Sequence, residues 1–537
     1  MAGMTVWMNR LVLLLVLGAG FSNTTWARSE RFRVMWHDDP ATSMVIGWDQ
    51  VSGNNPRLVY DSRDHGLSIN NYPLSEPAHH IVEAKMMRNH FVRLRNLRPN
   101  TVYYFVVVDS EGSSRRYSFK TAPADPDTPL SIVAGGDSRN YRAARRFANR
   151  MVSKIRPDFI MFAGDMTGGD SGPEWIEWLT DWQETFGEDG RIFPIVVARG
   201  NHESSNKTLF QLFDVPNTEG YYAFSFGGSL LRLYTLNSMI AVGGDQRNWL
   251  EQDLQKHGES VQWRLAQYHH AMRPHTRAKG EKDQQVVYWA PLFFAYQIDL
   301  VLESDSHVVK WTYPIRPSRS KDNDEGFVRD DENGTVYIGE GCWGAPLRNN
   351  DDEKSWTRAS GSFNQFKLIF VSREKMEVRT VLTDRAEEVS ALPDDQRFVL
   401  PPNFPLWQPA TGSVVTINTR QTNQPALSLK PVARKQPTDE AREQSRRNVR
   451  EWTKLPRTGY DREQEMAIIE YQPQERGDVQ IKVFDIYNQM VGQIGLRNRE
   501  PRRQTARISL PGLREGVYLV SVKQGDKTLH YYQLLCE

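Results

Sequence analysis

"LSIVAGGDS", residues 130–138, is an apolar run that stops on Gly135, Gly136 and the carboxylate of Asp137. The helical-looking "NYRAARRFANRMVSKIRP" follows it, and then "DFIMFAGD", residues 158–165, stops in the same way on Gly164 and Asp165. The pattern recurs in "IFPIVVARGNHE" (192–203), "LLRLYTLN" (230–237), "QWRLAQYHH" (262–270) and "DLVLESDSH" (299–307). Strands apolar along their whole length, alternating with helices, predict an α/β domain whose strands are buried on both faces. In such folds ligands sit at the C-terminal strand ends.

Those ends carry Asp137, Asp165, Asn201 with His202 and Glu203, His269 with His270, and Asp305 with His307. Each has an ordinary reading alone: an aspartate capping the next helix, an asparagine in a left-handed turn, a satisfied core histidine. Several strand ends doing the same thing is different, because the fold gathers them on one rim. Carboxylate and amide oxygens with imidazoles suit a pair of divalent ions, and a carboxylate between the ions can bridge them. Two such ions can hold a hydroxide and clamp a phosphoryl group for in-line attack. The reaction class predicted is phosphate ester hydrolysis.

Outward from this domain the composition narrows the rest. The chain has 537 residues, room for three or four domains, and 67 basic against 66 acidic residues. A balanced charge gives no argument for nucleic acid as a partner. Residues 1–27 read as a secretory signal: Arg10, an apolar run from Leu11 to Phe21, then small residues near Ala27. The run falls short of the roughly 20 residues that span a bilayer, so no transmembrane segment is expected. Cys342 and Cys536 are the only cysteines, too few for a disulfide framework, and their pairing is open.

Residues 31–123 hold short, regularly spaced β-type runs with Trp48 in an early one, predicting a β-sandwich, with a β-barrel as the alternative. "LRPNTVYYF", Leu97 to Phe105, resembles the tyrosine-corner strand of fibronectin type III domains. Residues 386–463 are Pro-rich and then charged, and read as linker, with "DEAREQSRRNVREW" a candidate solvated helix. Residues 464–537 return to alternating strands, a small C-terminal β-sandwich. Its "LREGVYLVSVKQGDK" is similar to the C-terminal sorting domain of type IX secretion in Gram-negative bacteria, with an ordinary carbohydrate-binding or adhesive sandwich as the alternative.

"GGDSR", "AGDM", "GNHE", "QYHH" and "DSH" fall in the order of the five blocks of the calcineurin-like metallophosphoesterases. With the domain ahead of them and "KWTYPI" after, residues 31–385 are most similar to the purple acid phosphatase branch. The resemblance implies a multidomain chain: an N-terminal β-sandwich, a central α/β metallophosphoesterase at 128–385 built as a β-sandwich flanked by helices, and a small C-terminal β-sandwich. It implies that Asp137 and His307 bind the first metal, Asp165 bridges, and Asn201 and His269 bind the second. His202 would contact phosphate or protonate the leaving group, and a metal-bridging hydroxide would attack. His270, Arg273, His275 and Arg277 are substrate-side candidates, His270 first by adjacency. In "YIGEGCWGAP", which holds Glu340, Trp343 is either a pocket wall or core.

Three positions depart from the family pattern. Gly168 stands where purple enzymes place the tyrosine that binds ferric iron. Arg139 replaces a metal-binding histidine, leaving the first metal a ligand short, to be made up by water, substrate or Asp170. Arg139 would fork onto the substrate phosphate or make a surface ion pair at a helix start. Asp305 replaces the first histidine of the last block: either it is a carboxylate ligand, or the second metal is lost. An oxygen-rich set leaves Mn, Fe, Zn and Mg open and tilts the choice toward Mn. The expectation is a secreted or cell-surface phosphatase acting on small phosphomonoesters, in contact with secretion machinery through its C-terminal domain. The alternatives are a phosphodiesterase or nucleotidase on the same site, or a non-catalytic surface binding protein.

Overall fold

The computed structural model describes residues 28–420 apart from 319, and 458–536 apart from 463, 485–489, 514–515 and 526. The signal segment and the helix expected in "DEAREQSRRNVREW" lie outside them. Among the described residues no helix is long and apolar enough to cross a membrane.

The N-terminal domain is a sandwich of two antiparallel sheets. One runs Ser29–Met35, Met44–Gln50, Met87–Leu94, His80–Ala84, and the other is centred on Arg57–Asp61 and Val102–Asp109. Trp48, Phe91 and Phe105 fill the space between them. The Tyr103 hydroxyl accepts the Arg98 backbone N–H at 2.9 Å, the upstream bond of a tyrosine corner.

The central domain packs a six-stranded sheet against a seven-stranded one. In the first, Leu130–Gly135, Phe159–Phe162 and Ile195–Val197 are parallel neighbours, and every residue in them is buried. In the second, Leu231–Thr235, Trp263–His270, Leu300–Ser304 and Val336–Gly339 run parallel. The strand ends of both sheets therefore meet along one edge.

Helices Arg142–Ile155 and Gly172–Trp182 cover the first sheet. Trp175, Trp178 and Trp182 pack inward from the second of these helices, and buried Arg145 joins the two through Asp181. Trp343 belongs to this core: its indole N–H donates to Asn149 Oδ1 at 2.9 Å and its ring lies 5.2 Å from Phe162. It is not a pocket wall. Cys342 beside it is buried and free, and the side chain of Cys536 lies outside the described ones.

One apolar core runs through the N-terminal sandwich and the first sheet of the central domain. Buried Arg33 crosses the junction, donating to Leu212 O at 2.7 Å and Asn89 Oδ1 at 2.5 Å. Lys85 reaches from the Lys85-Met86 hairpin tip to Asp170, at 2.7 Å.

The segment 386–420 differs from the expected linker. It wraps back onto the central domain, where Val415–Asn418 adds an edge strand beside Lys375–Leu382 and Trp407 packs 4.9 Å from Trp311. Proline-rich composition concealed a chain held by its apolar side chains. The C-terminal domain also begins earlier than 464, with strand Thr458–Asp461 pairing Met466–Tyr471. It has two sheets and an apolar core of its own, including Ile469, Ile481, Val483 and Ile508.

Candidate metal centre

Four residues at the strand ends hold left-handed backbone: Asp137 (φ 58°), Asp165 (56°), Asp305 (69°) and His307 (55°). Such conformations cost a non-glycine residue about 1–2 kcal/mol each. Their concentration on one edge marks a functional site. The turns aim the side chains back across the gap between the sheets. Gly164 (φ 90°) makes this packing possible, since a Cβ there would lie 2.4 Å from Gly200 N. Gly341 lies on the Asp137 carboxylate, 2.4 Å from Oδ2 to an imagined Cβ.

The result is two clusters sharing one carboxylate. Asp137, Asp165 and His307 present ligand atoms within 4.8 Å of one another, and so do Asp165, His269 and Asp305. All five side chains are buried. Asn201 joins the second cluster, its Oδ1 lying 3.1 Å from His269 Nε2.

The imidazoles test whether the set fits cations. His269 Nδ1 faces the Ala163 carbonyl at 2.8 Å and His307 Nδ1 the Pro346 carbonyl at 2.6 Å. A carbonyl only accepts, so both Nδ1 atoms carry hydrogen and each Nε2 is the atom turned to the centre. His269 Nε2 there meets Asn201 Oδ1, Asp165 Oδ1 at 3.2 Å and Asp305 Oδ1 at 3.6 Å, and His307 Nε2 meets Asp137 Oδ1 at 3.1 Å. Carboxylate oxygens and imidazole Nε2 atoms converging on one buried space make a donor set that divalent ions fit. With no ion between them, the buried groups offset one another's charge. Burial pushes the Asp165 and Asp305 carboxyls upward, but His269 opposite them outweighs it and both lie well below the usual range. Burial likewise disfavours charge on His269, yet Asp165 and Asp137 draw its pKa well above the ordinary value.

Asp305 thus stands in the second cluster, its backbone N–H donating to Asp137 Oδ2 at 2.8 Å. Lys279 Nζ lies 2.5 Å from its Oδ1. Arg139 is neither exposed nor at a surface pair: its Nε and Nη2 fork onto Asp165 Oδ2 at 3.3 and 3.0 Å. His202 is half-buried at the rim, its Nδ1 bonded to Gly168 O and its Nε2 3.8 Å from Asp165 Oδ2. His270 tilts against His269, ring centres 5.3 Å apart, and burial followed by the His269 charge lowers its pKa to about 4.

Other expected participants lie elsewhere. Asp170 does not complete the first cluster, because Lys85, Trp175 Nε1, Ser204 and Thr208 already surround its carboxylate. Arg273 is bound by Glu281 and Asp283, and His275 is buried against Thr357 and Glu340. Glu340 itself pairs with Lys310 at 2.5 Å. Arg277 is exposed, with its backbone N–H on Asp351.

Glu203 has a task that its place in "GNHE" did not disclose. Fully buried, it accepts backbone N–H bonds from Asp165 (3.0 Å), Met166 (2.9 Å) and Gly200 (2.7 Å), fixing the loops of two ligands to each other. Burial and then the Asp165 charge raise its pKa to about 7.

Residues 29–121 match the family model for the purple acid phosphatase N-terminal domain, and residues 130–309 that for calcineurin-like phosphoesterase. The chain carries a calcineurin-like phosphoesterase domain behind a purple acid phosphatase N-terminal domain. The phosphoesterase blocks are the strand ends described above. An uncharacterised Mycobacterium tuberculosis protein is 23% identical over 351 residues, covering 56% of this chain and 66% of its own. Purple acid phosphatase 15 of Arabidopsis thaliana is 25% identical over 264 residues, 41% of this chain and 48% of its own. The chain spans about half to two thirds of the length of such relatives. A purple acid phosphatase from yellow lupin (Lupinus luteus) seeds shares the fold, with TM-score 0.53 and 14% identity over 67% of this chain and 72% of that one. The phosphoesterase domain thus keeps its architecture at low identity, and its Asp/His cluster is of the kind that binds divalent metals.

Proposed function

We propose that this chain is an exported, two-metal phosphatase that hydrolyses phosphomonoesters. The observation that carries the reading is the pair of buried ligand clusters sharing Asp165. Asp137, Asp165 and His307 would hold one ion; Asp165, Asn201, His269 and Asp305 the other. Divalent ions bound there would supply Lewis-acid stabilisation of the phosphoryl group and a nucleophile at working pH.

The chain's own groups do the rest. The Gly168 carbonyl accepts the His202 Nδ1–H and leaves Nε2 at the open rim, where the imidazolium form, carrying hydrogen on both nitrogens, can pass its Nε2 proton to a leaving oxygen and stay as the neutral Nδ1–H tautomer. Arg139 sits where its fork can turn from Asp165 to a phosphate oxygen. His270, with a pKa of about 4, is neutral above that pH and acts as a hydrogen-bonding wall. The oxygen-rich ligand set favours Mn or Mg over Zn. Residues 1–27 support export, and the C-terminal sandwich supports attachment to secretion machinery.

The test is metal analysis of purified protein together with hydrolysis of a chromogenic phosphomonoester. Two ions per chain and Mn²⁺-supported turnover are expected, both lost in Asp165→Ala. Turnover no greater than that of Asp165→Ala with Mn²⁺, Mg²⁺, Fe²⁺ and Zn²⁺ in turn would leave only a binding protein. Sequencing the mature N-terminus checks export, with cleavage near Ala27 expected.

A further inference from the structure

Three cations crowd the carboxylates of the centre, and one holds on differently from the others. Arg139 and Lys279 direct their N–H groups at ligand oxygens, Asp165 Oδ2 and Asp305 Oδ1. Arg348 leaves the ligand oxygens alone. Its Nη1 donates to the main-chain oxygen of Asp305 at 2.7 Å, and its backbone N–H to that of His307 at 3.2 Å. Its neighbour Pro346 supplies the carbonyl that orients the His307 ring. Arg348 is therefore fixed by two ligand residues without competing for a cation. A guanidinium has five N–H donors, and the bond to Asp305 O engages one of them. Asp305 belongs to one cluster and His307 to the other, so Arg348 is tied to both.

Charge decides what this surplus is for. Asp137, Asp165 and Asp305 are matched one for one by Arg139, Lys279 and Arg348, so ions bound at the centre keep their whole charge for a substrate. A phosphomonoester presents three free oxygens and, near neutral pH, close to two charges, whereas a diester presents two oxygens and one charge. A planar fork anchored at the rim suits the former.

We infer that Arg348 is a phosphate-recognition residue that selects phosphomonoester dianions over phosphodiesters. This rests on the phosphatase reading of the same centre. The test measures binding of inorganic phosphate to the metal-loaded protein by calorimetry, alongside metal content and the ratio of monoester to diester turnover. Arg348→Gln is expected to weaken phosphate binding about tenfold or more, the scale of one charge-assisted hydrogen bond. The turnover ratio should fall by a similar factor with metal content unchanged. Arg348→Lys, which keeps charge and stem but loses the fork, should fall between, and it decides the matter if Arg348→Gln does not fold. Unchanged phosphate affinity in these variants overturns the inference, and so does parallel loss of metal and phosphate, which would make Arg348 a support for Asp305 and His307 alone. Wild type that binds phosphate through Arg348 but hydrolyses no ester keeps the recognition and retires the phosphatase reading.

Discussion

Asp305 and Glu203 shape the site at the scale of single residues, one as a member of the second cluster and one as frame. Asp305 contributes to the second cluster only, whereas Asp165 belongs to both. Asp305→Ala should therefore lower metal content from two ions to one, and Asp165→Ala should abolish it. Plasma emission analysis of dialysed protein checks this, and equal loss in both variants would contradict the division into two clusters. The effect should reach at least the about 10–100-fold in affinity that even outer-shell partners of metal ligands contribute. Glu203 is different, since its carboxylate satisfies three buried backbone N–H groups. Glu203→Ala strands those donors at about 1–3 kcal/mol apiece, so a loss of about 3 kcal/mol or more is expected in denaturant unfolding. Glu203→Gln, which retains one oxygen acceptor, should lose less. The cluster residues were legible in the sequence because each stands at or just after the end of an apolar strand. Glu203, Lys279 and Arg348 were not, because hydrogen bonding to backbone or pairing across a loop leaves no periodic trace.

The element that joins the N-terminal sandwich to the metal loops is the hairpin His80–Ala84 to Met87–Leu94. Its two-residue turn holds Lys85 (φ 54°) and Met86 (φ 63°), the left-handed pair of a type I′ turn, though neither residue is glycine or asparagine. That strained tip places the Lys85 ammonium on the buried Asp170 carboxylate. Lys85→Ala leaves the carboxylate without its cation and should cost about 2–3 kcal/mol. The loss depends on pH with a definite sign. Burial raises the Asp170 pKa, but Lys85, Ser204 and Trp175 outweigh it, so the folded value lies below 3.8. The pair's contribution is then complete above the unfolded carboxylate value, about 3.9, and fades as pH falls through the folded one. Melting curves of wild type and Lys85→Ala should stay apart at neutral pH and converge in strong acid; a gap that persists there would show that lost packing, and not charge, separates them. Strand and helix periodicity revealed the sandwich and the α/β domain, yet the turn's chemistry hid this contact. Lys-Met is not a sequence that announces a left-handed turn.

At the scale of the whole molecule the boundary of the catalytic unit lies farther along the chain than composition indicated. "LPPNFPLWQPATG" has too many prolines for a regular element, which is why it read as linker, but proline does not prevent burial of its neighbours. Leu392 N–H donates to Lys154 O at 2.7 Å, Arg397 pairs with Asp158 at 2.9 Å, and Trp407 lies between Trp311 and Phe363. Trp311 belongs to the strand that follows His307, so this wrap buttresses the sheet bearing Asp305 and His307. The C-terminal sandwich, with its separate core, has no such claim on the centre. Two truncations distinguish these relations. A chain ending at 420 should keep phosphatase turnover, metal content and melting temperature near those of the full chain. One ending at 385 loses the edge strand Val415–Asn418 and half-buried Trp407 and uncovers buried Trp311, and exposing apolar side chains costs about 25 cal/mol for each Å². It should melt well below the longer form or fail to fold, since stability of the whole is only about 5–15 kcal/mol. Equal melting of the two would assign 386–420 to linker after all. A loss of metal from the form ending at 420 would instead place the C-terminal sandwich in the catalytic unit.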